Sequence, residues 1–303
     1  MKIIFAGSPE YAVPALKALH ERYGVAAVIT QPDKPVGRKK TLTPTAVKTA
    51  ALALGLPVYD FEKIRNNVDE VRAIGADIMI TCAYGQLLTQ AVLDCFPEGV
   101  WNLHASLLPK FRGASPIQSA ILAGETHTGV TVMRTELSLD TGGILLVKRC
   151  EIGNRNSAEL SAVLSQLSAE AAVEAVRLIE AGNPQLLVQD EAQATLCKKI
   201  TKEGCAIDFR RSALDICRLV RAMNPEPYAY CHLNGVVVNV LNAEPYEASG
   251  AAGEIVSADK RGIIVGCGDG AVNITALQLA GGRAMTAADC VTGRKIKAGD
   301  RRD

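Results

Sequence analysis

Up to about Gly182, short apolar runs rich in β-branched residues alternate with segments whose apolar positions recur at helical spacing. That alternation is the pattern of βαβ units feeding a largely parallel sheet. Strands are expected over 2–6, 24–30, 77–83, 99–104 and 130–134, with helices over 14–19, 45–54 and 91–95 between them. Asn156 followed by Glu159 reads as a capping box that opens a long helix, and Gly182 is where that helix stops.

The periodicity weakens from Asn183 to Thr201, where Pro, Gln and Ala mix, and a linker is expected there. Ser212 with Asp215 can cap a helix running through Ala222. Alternation over 228–233 and 236–241, interrupted by Asn234-Gly235, predicts a tight hairpin. Further strands over 254–257, 263–266 and 271–277 bring the count of short strands to five, which fits a small closed β-barrel of the oligonucleotide-binding type. The expected organisation is an α/β domain over 1–183 with a mainly parallel sheet, a linker over 184–204 and a β-barrel domain over 205–303.

Composition agrees with two ordinary domains: 303 residues, 48% of them hydrophobic and 21% charged, can bury real cores and leave no room for wholesale disorder. No apolar run approaches the ~20 residues a membrane span needs, and the opening Met1 to Ala6 is too short for a signal-peptide core. A cytoplasmic protein without membrane partners is therefore expected. The nine cysteines include no Cys-x-x-Cys pair, so they read as buried small hydrophobes and no metal site is expected. A net charge of +1 conceals two basic stretches. Lys34, Arg38, Lys39, Lys40 and Lys48 face only Asp33, and Arg294, Lys295, Lys297, Arg301 and Arg302 crowd the end. Standing alone, both read as solvated segments.

Polar residues that follow the strands should gather on one edge of the sheet, where open α/β sheets bind ligands: Gly7-Ser8, Tyr84-Gly85, Asn102, His104 and Asp140. The first turn, Phe5 to Pro9, has one glycine where a dinucleotide fingerprint needs three, so NAD binding is not supported. Asn102 and His104 are two apart on an extended strand and share a face. Ser106-Leu107-Leu108-Pro109 reads alone as packing, Lys110 to Gly113 as a solvated turn, and Asp140-Thr141-Gly142 as an Asx turn. In this order along an α/β domain, their conjunction is specific.

By that conjunction the chain resembles the folate-dependent formyltransferases. Gly7 to Pro14, Thr30 to Arg38 and Asn224-Pro225 are similar to the branch that formylates methionyl-tRNA. The resemblance covers both domains and implies a Rossmann-like catalytic domain followed by an oligonucleotide-binding-type barrel. It implies transfer of a formyl group from 10-formyltetrahydrofolate, as donor substrate, to the amino group of methionine on initiator tRNA, for translation initiation. By it Asn102, His104 and Asp140 are catalytic, while Ser106, Leu107, Leu108 and Pro109, with Tyr84 and Gly85 at the sheet edge, contact the folate. Arg38 is the expected tRNA contact, helped by Lys34, Lys39 and Lys40, and the protein is expected to act as a monomer. Three departures stand out. Ser138 replaces the usual glycine before Leu139-Asp140, the basic loop is a residue shorter, and 297–303 matches nothing.

A formyl group on an arylamine nitrogen is an activated amide, which an amine can attack without a metal or a covalent enzyme intermediate. Donors at Asn102 and His104 would stabilise the oxygen as it gains charge, each worth about 3 kcal/mol. Asp140 is expected to favour protonated His104 and to help take the ammonium proton. Two other readings share parts of the pattern: a formyltransferase acting on a small amine, such as a nucleotide sugar or purine precursor, and a folate-binding regulatory module without catalysis.

Overall fold

The most uniformly apolar runs become the centre of the sheet, because a strand covered on both faces has no polar side to show. In the computed structural model, which describes residues 1–37, 39–182, 184–233, 236–293 and 296, β1 (Ile3–Gly7) is buried at every position. It is flanked by β2 (Val25–Ile29) and, with two short exposed strands β3 (Lys34–Val36) and β4 (Thr41–Thr43) set aside, by β6 (Ile78–Cys82). β5 (Val58–Tyr59) forms one edge beyond β2, and β7 (Val100–His104) follows β6 on the other side. All these pairings are parallel.

The sheet then changes direction. After a two-residue strand β8 (Arg112–Gly113), β9 (His127–Arg134) pairs antiparallel with β7, and β10 (Ile144–Glu151) pairs antiparallel with β9. The order is β10-β9-β7-β6-β1-β2-β5. β10 was not among the expected strands, since Lys148, Arg149 and Glu151 interrupt its apolar positions and it lies at the sheet's edge.

Helices α1 (Val13–Tyr23), α2 (Ala46–Ala53), α3 (Val68–Ala73), α4 (Gln90–Leu93) and α5 (Pro116–Leu122) connect these strands. The capping box forms reciprocally ahead of α6 (Ser157–Glu180): Glu159 N donates to Asn156 Oδ1 at 3.0 Å, and Asn156 N to Glu159 Oε2 at 2.9 Å. Side chains tie α6 to α1 and the turn before it, Ser165 Oγ donating to Tyr11 O at 2.7 Å and Tyr23 Oη to Val173 O at 3.1 Å.

The chain divides into two compact units. The first comprises Met1–Pro116, His127–Glu151 and Ser161–Cys197, and the second Ile117–Thr126, Ile152–Leu160 and Lys198–Asp303. This departs from a linker over 184–204. Leu187 exchanges two backbone hydrogen bonds with Ile144 at 2.8 and 2.9 Å, and β11 (Leu196–Cys197) pairs in parallel with β8. Residues 184–197 are thus a strap built into the first unit, and their short pairings leave no periodicity to read.

In the second unit, Ser212 Oγ accepts from Asp215 N at 3.1 Å and starts α7 (Ala213–Ala222). β12 (Ala229–Leu233), β13 (Val236–Tyr246), β14 (Ile255–Asp259), β15 (Gly262–Gly266) and β16 (Ala271–Leu279) form an antiparallel sheet in the order β12-β13-β16-β15-β14. A sixth strand, β17 (Ala284–Thr286), pairs with β16, and α8 (Ala287–Thr292) follows. Among the described residues these ladders make an open path, so the expected barrel is seen as an antiparallel sheet. The turn Asn234-Gly235 and the basic residues Arg294, Lys295, Lys297, Arg301 and Arg302 lie outside the described residues. All nine cysteines are thiols outside any disulfide, seven of them buried. Among the described residues no helix is long and apolar enough to cross a membrane.

Candidate active site

The turns that follow β1, β2 and β6 are sewn together. Ser8 Oγ donates to Tyr84 O and accepts from Gln31 N, both at 3.3 Å, and Gln31 Nε2 donates to the same carbonyl at 2.9 Å. Gly85 takes φ +79, and a Cβ there would come within 2.6 Å of Gln31 Nε2. Tyr84 does not offer its ring to a ligand. The ring packs into the core with Ile4, Ile29 and Phe61, and burial raises its phenol above the usual range.

On β7, period-two placement puts Asn102 and His104 on one face. Thr81 of β6 donates its hydroxyl to Asn102 Oδ1 at 2.9 Å, so the amide is turned with Nδ2 outward, and Nδ2 has no partner among the described residues. His104 is 5% exposed. Its Nε2 lies 2.9 Å from Phe111 O and its Nδ1 lies 3.7 Å from Asp140 Oδ2. A carbonyl can only accept, so the proton sits on Nε2 and the neutral ring keeps a lone pair on Nδ1. Burial holds the imidazole below its ordinary pKa; the Asp140 charge and the Phe111 carbonyl push the other way without overcoming it. Asp140 thus favours the protonated ring, as expected, but desolvation outweighs the single carboxylate and the neutral ring is the favoured form.

Asp140 does not follow a strand end at the catalytic edge. β9 runs antiparallel to β7, so Arg134 lies beside Trp101, and the loop 135–143 must fold back to carry Asp140 to His104. There its Oδ2 accepts from Gly113 N at 2.8 Å. Gly113 has φ +120 and a Cβ on it would fall 2.3 Å from Cys197 O, so only glycine lets the two segments approach this closely. Asp140, Phe111 and Ala83 all hold positive φ, at 53, 60 and 48. Left-handed non-glycine residues gather at sites that the surrounding structure over-determines. Ser138 is not among the residues of positive φ, so serine meets no backbone penalty where the resemblance expects glycine.

The segment between His104 and Gly113 spends most of its polar atoms on its own shape. Ser106 is fully buried, its hydroxyl donating to Lys110 O at 2.7 Å, while Thr131 Oγ1 donates to Ser106 O at 2.6 Å and accepts from Leu108 N at 3.2 Å. Leu108 packs against Met133 and Ile144. Among the six residues expected at the folate, Ser106, Leu108 and Tyr84 thus have buried side chains, and Leu107, Pro109 and Gly85 reach the surface at least in part. Arg112, read as part of a solvated turn, is 4% exposed.

The basic loop is a small hairpin. β3 and β4 pair antiparallel, and Lys40 N donates to Gly37 O at 3.1 Å across the tip. Lys34, Lys39 and Lys40 are exposed, with the Lys34 ammonium donating to Gln31 Oε1. Lys48 is engaged elsewhere, bridging Asp33 and Asp60 at 2.7 Å each. Arg38 lies outside the described residues. Among the described residues no group of three or more His, Cys, Asp or Glu side chains is placed to hold a metal ion.

Sequence reasoning missed Thr81, Thr131, Gln189 and Thr195. The two strand threonines carried a signal: a hydroxyl inside a buried apolar strand must find a partner. Gln189 and Thr195 carried none, because they lie in a segment without periodicity.

Comparison with known proteins agrees with this geometry. A family model described as formyl transferase matches residues 1–176, and one described as formyl transferase, C-terminal domain, matches residues 199–295. A relative from Pseudomonas putida (strain GB-1), named methionyl-tRNA formyltransferase, is 44% identical over 301 residues, 98% of this chain and 97% of its own. One of the same name from Xanthomonas axonopodis pv. citri (strain 306) is 42% identical over 301 residues, 97% of this chain and 98% of its own. Among solved structures, an N-formyltransferase from Helicobacter canadensis, in complex with folinic acid and dTDP-3-aminofucose, superposes with a TM-score of 0.69. At 16% identity, covering 90% of this chain and 99% of that one, it is similar in fold.

Proposed function

Since the chain belongs to the formyl transferase family, we propose that it transfers the formyl group of 10-formyltetrahydrofolate to the amino group of methionyl initiator tRNA, giving N-formylmethionyl-tRNA. The observation that carries this reading is the identity of 44% over nearly the whole of a relative named for that reaction. The placement of Asn102, His104 and Asp140 supports it with a chemistry.

The donor supplies an amide whose nitrogen lone pair is drawn into the aryl ring, which leaves the formyl carbon open to an amine. Asn102 offers the unpartnered Nδ2 to the oxygen that gains charge, a contribution of about 3 kcal/mol for a donor aimed at the transition state. His104 presents the Nδ1 lone pair as the acceptor of the ammonium proton and returns that proton to the folate nitrogen as its bond to the formyl carbon breaks, releasing tetrahydrofolate. Asp140 at 3.7 Å stabilises the imidazolium that forms. An α-amino group has a pKa near 8, so the nucleophile needs little help to arrive neutral.

The first unit is read as the catalytic part, with Leu107, Pro109 and Gly85 as the folate-facing surface and Ser106, Leu108 and Tyr84 holding its shape. Lys34, Lys39, Lys40 and Arg38 attract and position the acceptor end of the tRNA, and the second unit adds grip on the rest. The protein is read as a monomer of the cytoplasm, where nine cysteines outside any disulfide stay reduced.

The test is formylation by the purified chain with 10-formyltetrahydrofolate and charged initiator tRNA, set beside free methionine and an amino sugar nucleotide. Turnover on the charged tRNA alone is expected. Preference for a small amine would overturn the reading, and tight folate binding without turnover on any amine would turn it toward a regulatory module.

A further inference from the structure

We propose that Gln189 is a positioning residue for the transfer: its side-chain amide holds the loop that carries Asp140 against His104. The inference rests on the catalytic reading of Asp140 and adds a residue that this reading does not use.

Asp140 needs an external hold. It lies in a return loop, at φ 53, and one hydrogen bond from Gly113 N fixes its carboxylate. The rest of the hold comes from Gln189, which is 6% exposed. Its Nε2 donates to Asp140 O at 2.9 Å and to Gly142 O at 2.8 Å, so both amide protons grip the backbone on either side of Thr141. Its Oε1 is in turn gripped by Arg112, accepting from Nε at 3.0 Å and from Nη2 at 2.8 Å. The other edge of the guanidinium meets Glu191, Nη1 at 2.9 Å and Nη2 at 2.7 Å.

Arg112 thus fixes which end of the Gln189 amide is oxygen, and that choice aims both donors at the Asp140 loop. A guanidinium has no acceptor, so a flipped amide would face donors with donors. The strap also braces the other half of the pair. Phe111 N donates to Thr195 Oγ1 at 2.8 Å, Thr195 N donates to Pro109 O at 3.2 Å, and Arg112 N donates to Thr195 O at 2.8 Å. Phe111 O is the carbonyl that takes the His104 Nε2 proton. One segment, 189–195, therefore sets the position of Asp140 through Gln189 and bounds the tautomer of His104 through Thr195.

The test is a double-mutant cycle on the full chain with kcat and KM for both substrates, using Gln189→Ala, Gln189→Glu and Asp140→Asn. Gln189→Glu keeps an oxygen for Arg112 and replaces the two donors with an acceptor facing two carbonyls. Both Gln189 variants are expected to lower kcat tenfold or more with KM changed less than threefold. In the Asp140→Asn background the same changes should alter kcat less than threefold, because effects routed through one residue do not add. Thermal melting of each variant keeps folding separate, and Gln189→Glu, which retains the Arg112 contact, serves if Gln189→Ala fails to fold. An equal loss in both backgrounds would mean a general structural role and overturn the proposal, as would parental kcat in Gln189→Glu. Parental kcat in Asp140→Asn would overturn the reading of Asp140 itself, a different failure that the cycle reports separately.

Discussion

Asp140 Oδ2 stands 3.7 Å from His104 Nδ1, near enough for its charge to act and beyond hydrogen-bonding distance. With the Nε2 proton committed to Phe111 O, the lone pair of a neutral ring is on the side of the carboxylate. Burial favours that neutral ring, and Asp140 limits how far the pKa drops. His104 is therefore expected to titrate below its ordinary value of about 6.5. In Asp140→Asn it should titrate lower still. The unfolded chain takes up this proton first as pH falls, so the contribution to stability is complete above about 6.5 and is lost toward the folded value. Proton NMR of the four histidines, with His104→Gln to assign the resonance, checks both statements. A midpoint at or above about 6.5 would overturn the dominance of burial, and none of the expected movement in Asp140→Asn would remove Asp140 from this role.

Asn102 gives a second prediction, because its useful end is defined by a neighbour. Thr81 occupies Oδ1, which leaves Nδ2 as the donor. Asn102→Ala is expected to lower kcat by about 10²–10³, the loss typical of one donor removed from a developing oxyanion. Thr81→Val, which keeps the volume and removes the hydroxyl, should lower kcat in the same direction by a smaller factor, since the amide is then free to turn. KM for the folate donor should hold in both. Steady-state kinetics with saturating tRNA decide it, and rates within about threefold of the parent in Asn102→Ala would exclude the donor.

What could be read from the sequence was whatever repeats or caps locally. The buried strand β1 announced itself as an unbroken apolar run, β6 and β7 as apolar runs broken only by Thr81, Asn102 and His104, and the box at Asn156 and Glu159 formed as its spacing requires. The resemblance brought Asn102, His104 and Asp140 together, and the structure sets His104 beside Asp140. Partners distant along the chain were illegible. Gln189 meets Asp140 across a sequence separation of 49, and Thr195 meets Phe111 across 84, in a segment whose exposed apolar residues and two-residue strand leave no period to detect. Charge state was also hidden, because an aspartate beside His104 favours the protonated ring and only the fold shows the burial that outweighs it. Tyr84 misleads for a similar reason: a tyrosine after a strand looks available, and only packing shows its ring in the core.

The basic hairpin yields the last prediction, in which its cations do separable work. Lys48 is bound to Asp33 and Asp60, so it anchors the base of the loop and is not free for phosphate. Lys39 and Lys40 sit exposed at the tip, on either side of which β3 and β4 hold the hairpin in place. Attraction between such lysines and a nucleic-acid backbone works by release of counterions, so each neutralised phosphate contributes a slope of about 0.7 in log affinity against log salt on single strands. Lys39→Ala and Lys40→Ala together should weaken use of methionyl-tRNA and flatten its salt dependence by about that much for every phosphate the lysines had neutralised. Arg38→Ala should cost more activity than either lysine, since a guanidinium can engage phosphate bidentately or stack on an unpaired base. Lys48→Gln should leave the salt slope near parental, and folate binding should be insensitive to salt in every variant. The readout is kcat/KM for charged tRNA across a salt titration, beside folate affinity measured in the same buffers. A parental slope in the double lysine variant, with Arg38→Ala fully active, would show that the hairpin does not meet the tRNA and would move the substrate toward a small amine.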